Sequence, residues 1–155
     1  MGEMSKDLRG ALVFLKPPCK MHGVSQKVFH MNLNLILASG SDIRAQLLRN
    51  AGLSFDVQVA RIDEESIRRS LELEDATPRD VADTLAEMKA RKVSDKCPGA
   101  LVLGCDQVLA LGKTILGKPA SVEEARDQLR MLRNQSHMLM SAAVLYEDGE
   151  PKWRH

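Results

Sequence analysis

Aromatic side chains are scarce in this sequence of 155 residues, at 3% of the chain. A surface that stacks the bases of single-stranded nucleic acid needs such side chains, so their scarcity argues against that class of protein. Lysine and arginine number 22 and aspartate and glutamate 21, which gives a net charge of +1. A chain so nearly neutral has no general attraction to nucleic acid or to an anionic membrane. We therefore expect neither as a partner.

Cysteines and long apolar runs are also few. Cys19, Cys97 and Cys105 are an odd number without metal-ligand spacing, which is typical of a reducing compartment. No apolar run approaches the roughly 18 residues that span a bilayer, and the first residues lack the features of a signal peptide. These absences, with 44% apolar and 28% charged residues, predict a cytoplasmic globular protein.

The first thirty residues differ from the rest. A brief apolar run over residues 12–15 is stopped by Pro17 and Pro18, and mixed polar sequence without a clear period follows. We interpret residues 1–30 as an N-terminal extension, disordered or loosely attached, and residues 31–155 as a domain.

Beyond residue 31 the apolar pattern predicts the order β-α-β-(α)-α-β-β-α-β-β, an α/β fold with a mixed twisted sheet flanked by helices. The predicted strands cover residues 33–38, 54–60, 100–103, 108–111, 115–116 and 136–146, with a returning strand from residue 151. In the second strand, Phe55, Val57 and Val59 are expected to point inward. Ser41, Thr77 and Ser121 are predicted helix caps, and residues 66–73 a short helix.

Polar residues gather where the predicted strands end. They are Ser39 and Ser41 with Arg44, then Asp63 and Glu64, then Asp106 and Gln107 after a strand that breaks at Gly104, and finally Lys118. Carboxylates can hold Mg²⁺ and activate water, while cations and a helix N-terminus hold phosphates. This combination predicts hydrolysis of a phosphoanhydride. Each residue also has a plainer interpretation: Asp106 as a turn or cap residue, and Arg44 as a solvated side chain on a capped helix.

Five segments occur in the order and with the spacing of a known family. They are Leu-Ala-Ser-Gly-Ser-Asp-Ile-Arg (37–44), Ile-Asp-Glu (62–64), Leu-Ala-Glu-Met-Lys-Ala (85–90), Gly-Cys-Asp-Gln-Val (104–108) and Gly-Lys-Pro (117–119). These motifs resemble the signatures of the Maf-like nucleoside triphosphate pyrophosphatases. The resemblance covers residues 33 to about 145.

The resemblance implies a Maf/ITPase-like fold and cleavage of a nucleoside triphosphate to the monophosphate and pyrophosphate. It implies Asp106 as the proton acceptor that activates water, and Glu64 with Asp106 as ligands of a divalent cation, Mg²⁺ or Mn²⁺. The phosphate-binding positions that it implies are Ser41, Arg44, Lys89 and Lys118. A homodimer is among the expected assemblies.

Two positions bear on the choice of substrate. Gln107 is similar to the residue found at this position in the branch of the family that acts on 7-methyl-GTP. Ile43 matches neither the residue of that branch nor the residue of the branch that acts on dTTP and UTP. Asp42 replaces the proline of the family motif. We expect a substrate like 7-methyl-GTP, with dTTP or UTP as the alternative.

The family pattern continues beyond the position of His155. We therefore expect the C-terminal lobe of the fold to be missing from residues 31–155, and the activity to be reduced or lost. A non-catalytic nucleotide-binding or regulatory fragment is the other reading of the sequence.

Overall fold

A computed structural model describes residues 34–155 of the chain. The predicted N-terminal extension over residues 1–30 lies outside the described residues. No helix within residues 34–155 is both long and apolar enough to cross a membrane.

Strands and helices follow one another in the predicted order, and the α/β prediction is confirmed. The strands are β1 (Leu35–Leu37), β2 (Asp56–Val57), β3 (Leu101–Leu111), β4 (Thr114–Leu116), β5 (Met138–Glu147) and β6 (Glu150–Arg154). The helices are α1 (Asp42–Asn50), α2 (Glu64–Leu73), α3 (Pro78–Ser94) and α4 (Val122–Leu132).

The six strands form one mixed sheet in the order β2-β1-β3-β5-β6, with β4 paired to β3 away from this path. β1 pairs in parallel with both β2 and β3. The pairings of β3 with β4, of β3 with β5, and of β5 with β6 are antiparallel. The long strand β3 is therefore the centre of the sheet, and residues on it are held from both sides.

Side-chain caps begin the helices where the sequence predicts them. The Ser41, Thr77 and Ser121 side chains each accept a hydrogen bond from a backbone N–H in the first turn of α1, α3 and α4. At α3 the cap is reciprocal, because Asp80 also accepts from the Thr77 backbone N–H. These caps fix the N-termini of α1 and α3, and that of α1 lies beside the polar residues discussed below.

Helix α3 lies against the sheet at a point where β3 has no side chain. A Cβ atom built on Gly104 would lie 2.2 Å from the Ala86 carbonyl oxygen and 2.7 Å from the Ala90 backbone nitrogen. Ala86 and Ala90 are themselves fully buried in the core. Small residues on both elements thus let the helix backbone approach the strand closely.

The structure corrects the prediction that the strand breaks at Gly104 and ends before Asp106. β3 runs without interruption from Leu101 to Leu111, and its pairing with β5 passes through both residues. Asp106 therefore lies in mid-strand, on the same buried face as Gly104. A glycine can stay within a strand when a neighbouring backbone packs against it, so here it marks a close contact rather than an end.

The prediction for the second strand is also wrong in part. β2 has only two residues, and Val57 and Val59 are 47% and 55% exposed instead of pointing inward. Gln58 and the partly buried Ala60 take the inner positions instead, and Gln58 accepts a hydrogen bond from the Cys97 thiol. An alternating pattern does not say which set of residues faces the core, and a short edge strand tolerates either.

Strand β5 is tied to α3 by the buried phenol of Tyr146, and strand β6 by the guanidinium of Arg154. The Tyr146 hydroxyl donates to Glu87 Oε1 at 2.6 Å, and Arg154 donates to Glu87 Oε2 at 2.9 Å and to Asp83 Oδ2 at 2.7 Å. Burial, and then the hydrogen bond to Glu87, raise the pKa of Tyr146 to about 12.

Substitution of Gly104 tests the close contact between α3 and β3. We expect Gly104→Ala to lower the free energy of unfolding by about 3 kcal/mol, because the new methyl group meets backbone atoms that cannot rotate away. Gly117→Ala is the matched control, since a Cβ there meets nothing within 4 Å. Urea titrations that give equal midpoints for the two variants would contradict this interpretation.

The ionisation of Tyr146 gives a second test, because it is the only tyrosine of the chain. Since its pKa in the folded state exceeds the unfolded value, its contribution to stability is complete below about pH 10 and is lost as the pH rises toward about 12. Phenolate absorbance should therefore rise near pH 12 or together with unfolding. Ionisation near pH 10 with the circular dichroism unchanged would contradict both the burial of the phenol and its hydrogen bond to Glu87.

Candidate active site

The centre of the site is a buried ammonium group between two carboxylates. Lys89 Nζ lies 2.6 Å from Asp106 Oδ1 and 2.9 Å from Glu64 Oε1. The side chains of Lys89 and Asp106 are only 8% and 5% exposed. Lys89 reaches Asp106 because it lies on the face of α3 that packs on β3, between Ala86 and Ala90.

Asp106 has one carboxylate oxygen without a partner. Oδ1 is held by Lys89, whereas Oδ2 is buried and accepts no hydrogen bond within residues 34–155. A buried carboxylate oxygen left unpaired costs free energy, so its persistence points to a proton or a cation that it receives during function. The geometry thus gives Asp106 one fixed oxygen and one available oxygen.

Glu64 enters the site as the first residue of α2. Asp63 caps that helix by accepting from the Ser66 backbone N–H at 3.1 Å, which turns the next residue toward α3. Burial alone would raise the pKa of the Glu64 carboxyl. The hydrogen bond and charge of Lys89, together with the charges of Arg68 and Lys118, lower this pKa overall. Glu64 is consequently ionised at neutral pH.

Cys105 is adjacent to Asp106 in sequence but is not a nucleophile in this environment. Burial raises the pKa of its thiol above the ordinary value, against the opposing charges of Arg44 and Lys89. The thiolate fraction at neutral pH is therefore small, and thiolate is the reactive form.

The N-terminus of α1 provides the opposite wall of the site. Arg44 Nη1 donates to Ser39 Oγ at 3.1 Å and to the Cys105 carbonyl oxygen at 2.9 Å. These bonds tie α1 to β3 and hold the guanidinium beside Asp106. The Ser41 side chain accepts from the Arg44 backbone N–H, so both residues are fixed at a helix end that attracts anions.

A cavity of about 370 Å³ brings most of the predicted residues together. Its lining includes Ser41, Arg44, Glu64, Lys89, Asp106, Gln107 and Lys118. Ile43 lines a neighbouring cavity of about 500 Å³ that also contains Arg44, Asp106, Gln107 and Lys118. The two cavities share these residues and form one cleft with a charged part and a more apolar part.

Arg68 and Ser141 are among the residues of this cleft that were not predicted from the sequence. Arg68 lines the charged part, and its Nε is buried without a hydrogen-bond partner among the described residues. Its position four residues after Glu64 was an available signal, because residues so spaced share a helix face. Ser141 lines the more apolar part and accepts from Gln107 Nε2 at 2.7 Å. No local pattern indicates Ser141, since the antiparallel register of β3 and β5 brings it opposite Gln107.

The residues present fit a divalent cation that brings some of its own ligands. Residues 34–155 contain no group of three or more His, Cys, Asp or Glu that could enclose a metal. The carboxylates of the cavity are Asp106 and Glu64, and Asp106 Oδ2 is an unpaired acceptor. Mg²⁺ is commonly bound through one or two carboxylates together with substrate phosphates and water. Asp106 and Glu64 are suited to that mode of binding.

Comparisons with known proteins agree with the geometry. Residues 34–155 match the family model described as Maf-like protein. The chain is 60% identical to a nucleoside triphosphate pyrophosphatase of Ruegeria pomeroyi and 50% identical to a 7-methyl-GTP pyrophosphatase of Brucella abortus, each over 125 residues. In both cases the match covers 81% of this chain and 63% of the relative. The chain thus spans somewhat less than two thirds of the length of the curated relatives that it matches.

The guanidinium of Arg68, whose Nε has no hydrogen-bond partner among the described residues, gives a test of the charged part of the cleft. We expect Arg68→Gln to weaken the binding of inorganic tripolyphosphate about tenfold, since a charge-assisted hydrogen bond is lost. Arg69→Gln is the control, because Arg69 is 74% exposed and pairs with Glu65 on the outside of the same helix. Equal dissociation constants for the two variants in calorimetric titrations would show that Arg68 does not bind the phosphates.

Proposed function

Because the chain belongs to the Maf-like protein family, we propose that it hydrolyses nucleoside triphosphates to the monophosphate and pyrophosphate. The observation that carries the proposal is the buried Asp106 carboxylate, which has one oxygen fixed by Lys89 and the other unpaired. The positive side chains of Arg44, Arg68 and Lys118 line the same cavity. A water-activating carboxylate among phosphate-binding groups is the arrangement that anhydride hydrolysis requires.

The triphosphate is proposed to lie along the charged part of the cleft. The N-terminus of α1 with Ser41 and Arg44 meets it on one side, and Lys118 and Arg68 on the other. Lys89 contributes its positive charge from the floor of the cavity. These groups offset the negative charge of the bound triphosphate and of the leaving pyrophosphate, which is the usual protein contribution to phosphoryl chemistry.

Asp106 is proposed to act as the general base. Its Oδ2 accepts a proton from water, and the water oxygen forms a bond to the α-phosphorus of the α,β-anhydride. The bridging oxygen then leaves with the electron pair of the broken P–O bond, as part of pyrophosphate. Lys89 holds Oδ1 at 2.6 Å and so keeps Oδ2 in one orientation during this transfer.

A divalent cation, Mg²⁺ or Mn²⁺, is proposed as the cofactor. Asp106 and Glu64 would hold it together with the phosphates, and when bound it would polarise the phosphoryl oxygens and neutralise their charge. The lowered pKa of Glu64 keeps that carboxyl ionised, as a ligand must be.

The more apolar part of the cleft is proposed to receive the base. Ile43 and Leu47 line it and are 75% and 63% exposed, so they offer apolar surface to the face of a ring. Gln107 and Ser141 add hydrogen-bonding groups for its edge. Gln107 and the relative named for 7-methyl-GTP favour that nucleotide or a similar one over dTTP and UTP.

The test measures pyrophosphate release in the presence of Mg²⁺ or Mn²⁺ from 7-methyl-GTP, GTP, UTP and dTTP. We expect the highest kcat/KM with 7-methyl-GTP. Asp106→Asn should lower kcat at least about 100-fold, because removal of a general base typically costs that much. Asp127→Asn is the control, since Asp127 is 71% exposed on α4 and pairs with Arg130.

Two other results would count against hydrolysis with Asp106 as the general base. A fully active Asp106→Asn variant would exclude the proposed role of this carboxylate. Nucleotide binding by calorimetry without any pyrophosphate release would support the non-catalytic nucleotide-binding function instead.

A further inference from the structure

The ammonium group of Lys89 lies where a cation would be held by the two carboxylates of the site. It is 2.6 Å from Asp106 Oδ1 and 2.9 Å from Glu64 Oε1. The second oxygen of Glu64 faces Arg68, whose Nη2 is 3.6 Å away. Asp106 Oδ2 is thus the carboxylate oxygen of this cluster that no described cation or donor contacts.

Lys89 has little freedom to leave this position. It follows Ala86 and precedes Ala90 on the buried face of α3, where the helix backbone is pressed against Gly104. Its side chain is 8% exposed, so the ammonium is held within the cluster and has little contact with solvent. Any ligand of the two carboxylates therefore meets Lys89 beside them.

This arrangement disfavours a free divalent cation. The cation would have to share Asp106 and Glu64 with a positive charge in direct contact with both. The repulsion is weakly screened at the Asp106 end, because the side chains of Lys89 and Asp106 are only 8% and 5% exposed. A single unpaired carboxylate oxygen also supplies only one of the six oxygen ligands of Mg²⁺, which leaves water or substrate phosphates to supply most of the others.

We propose that the chain takes up its divalent cation only as a complex with the triphosphate, and that Lys89 imposes this order of binding as a positioning residue. The phosphate oxygens supply the ligands that the protein lacks, and their negative charge offsets the repulsion from Lys89. The inference rests on the proposed function in one respect, because a triphosphate is taken as the ligand of the cleft.

Binding of Mn²⁺ tests the proposal without any need for turnover. The electron paramagnetic resonance signal of free Mn²⁺ falls as the ion binds, which gives the dissociation constant of Mn²⁺ from the wild-type chain. The titration is made with the chain alone and again with the α,β-methylene analogue of GTP present. We expect no saturable site at millimolar Mn²⁺ alone. With the analogue, the chain should bind Mn²⁺ more tightly than the analogue does in free solution.

Substitution of Lys89 should create the site for free Mn²⁺ that the wild-type chain lacks. We expect Lys89→Met to bind free Mn²⁺ at least about tenfold more tightly than wild type, since it removes a positive charge in contact with both ligands. The gain should disappear in Lys89→Met combined with Asp106→Asn, which locates the metal. Lys92→Met is the matched control, because Lys92 lies on the same helix and donates to the Arg61 carbonyl oxygen outside the cavity.

Two results would overturn the proposal. One is a saturable Mn²⁺ site in the wild-type chain alone that Asp106→Asn removes. The other is a Lys89→Met variant, folded by circular dichroism, with no gain in affinity; Lys89→Gln serves if the Met variant does not fold. If the analogue does not bind at all, the proposed function fails, whereas the comparison of free Mn²⁺ between wild type and Lys89→Met still decides the role of the ammonium.

Discussion

The close contact between α3 and β3 at Gly104 determines how the rest of this structure is arranged. Without a Cβ on Gly104, the backbone of α3 lies directly on the central strand, and Ala86 and Ala90 leave no side chain in the way. Asp106 is two residues further along the same face of β3, and Lys89 lies between the two alanines on the helix. Their ion pair is therefore a direct result of how closely the two backbones pack.

The buried charges are better explained by chemistry than by stability. An ion pair removed from water gains attraction but loses hydration, and apolar residues of similar volume often serve a core equally well. Lys89, Asp106 and Glu64 nevertheless lie together at the wall of a cavity, with one carboxylate oxygen unpaired. The side chains of Arg44, Arg68 and Lys118 add positive charge around the same cavity. The cluster is thus arranged for an anionic ligand.

Local signals in the sequence predicted local structure well. The caps at Ser41, Thr77 and Ser121 depend only on a side chain and its own first turn, and all three are observed. The predicted strand break at Gly104 was wrong because a contact with α3, not a turn, requires glycine there. Helix α3 ends ten residues earlier in the chain, so no local pattern indicates the contact.

The remaining differences have the same origin in contacts between distant segments. The faces of Val57 and Val59 depend on which neighbours the second strand acquires, and Arg68 belongs to the site only through the way α2 lies beside α3. The charged residues that the family motifs supply, Arg44, Glu64, Lys89, Asp106 and Lys118, do line one cavity. Their catalytic and binding roles stay predictions.

The topology of β3 also bears on how fast the chain can fold. Its first residues pair in parallel with β1, so that Leu35 meets Leu101 across the whole of α1, α2 and α3. Such distant pairing is entropically slow to form, whereas the hairpin of β5 and β6 is local and fast. Until β1 pairs with β3, the edge of β3 at Leu101–Leu103 stays unpaired and is open to association with other molecules.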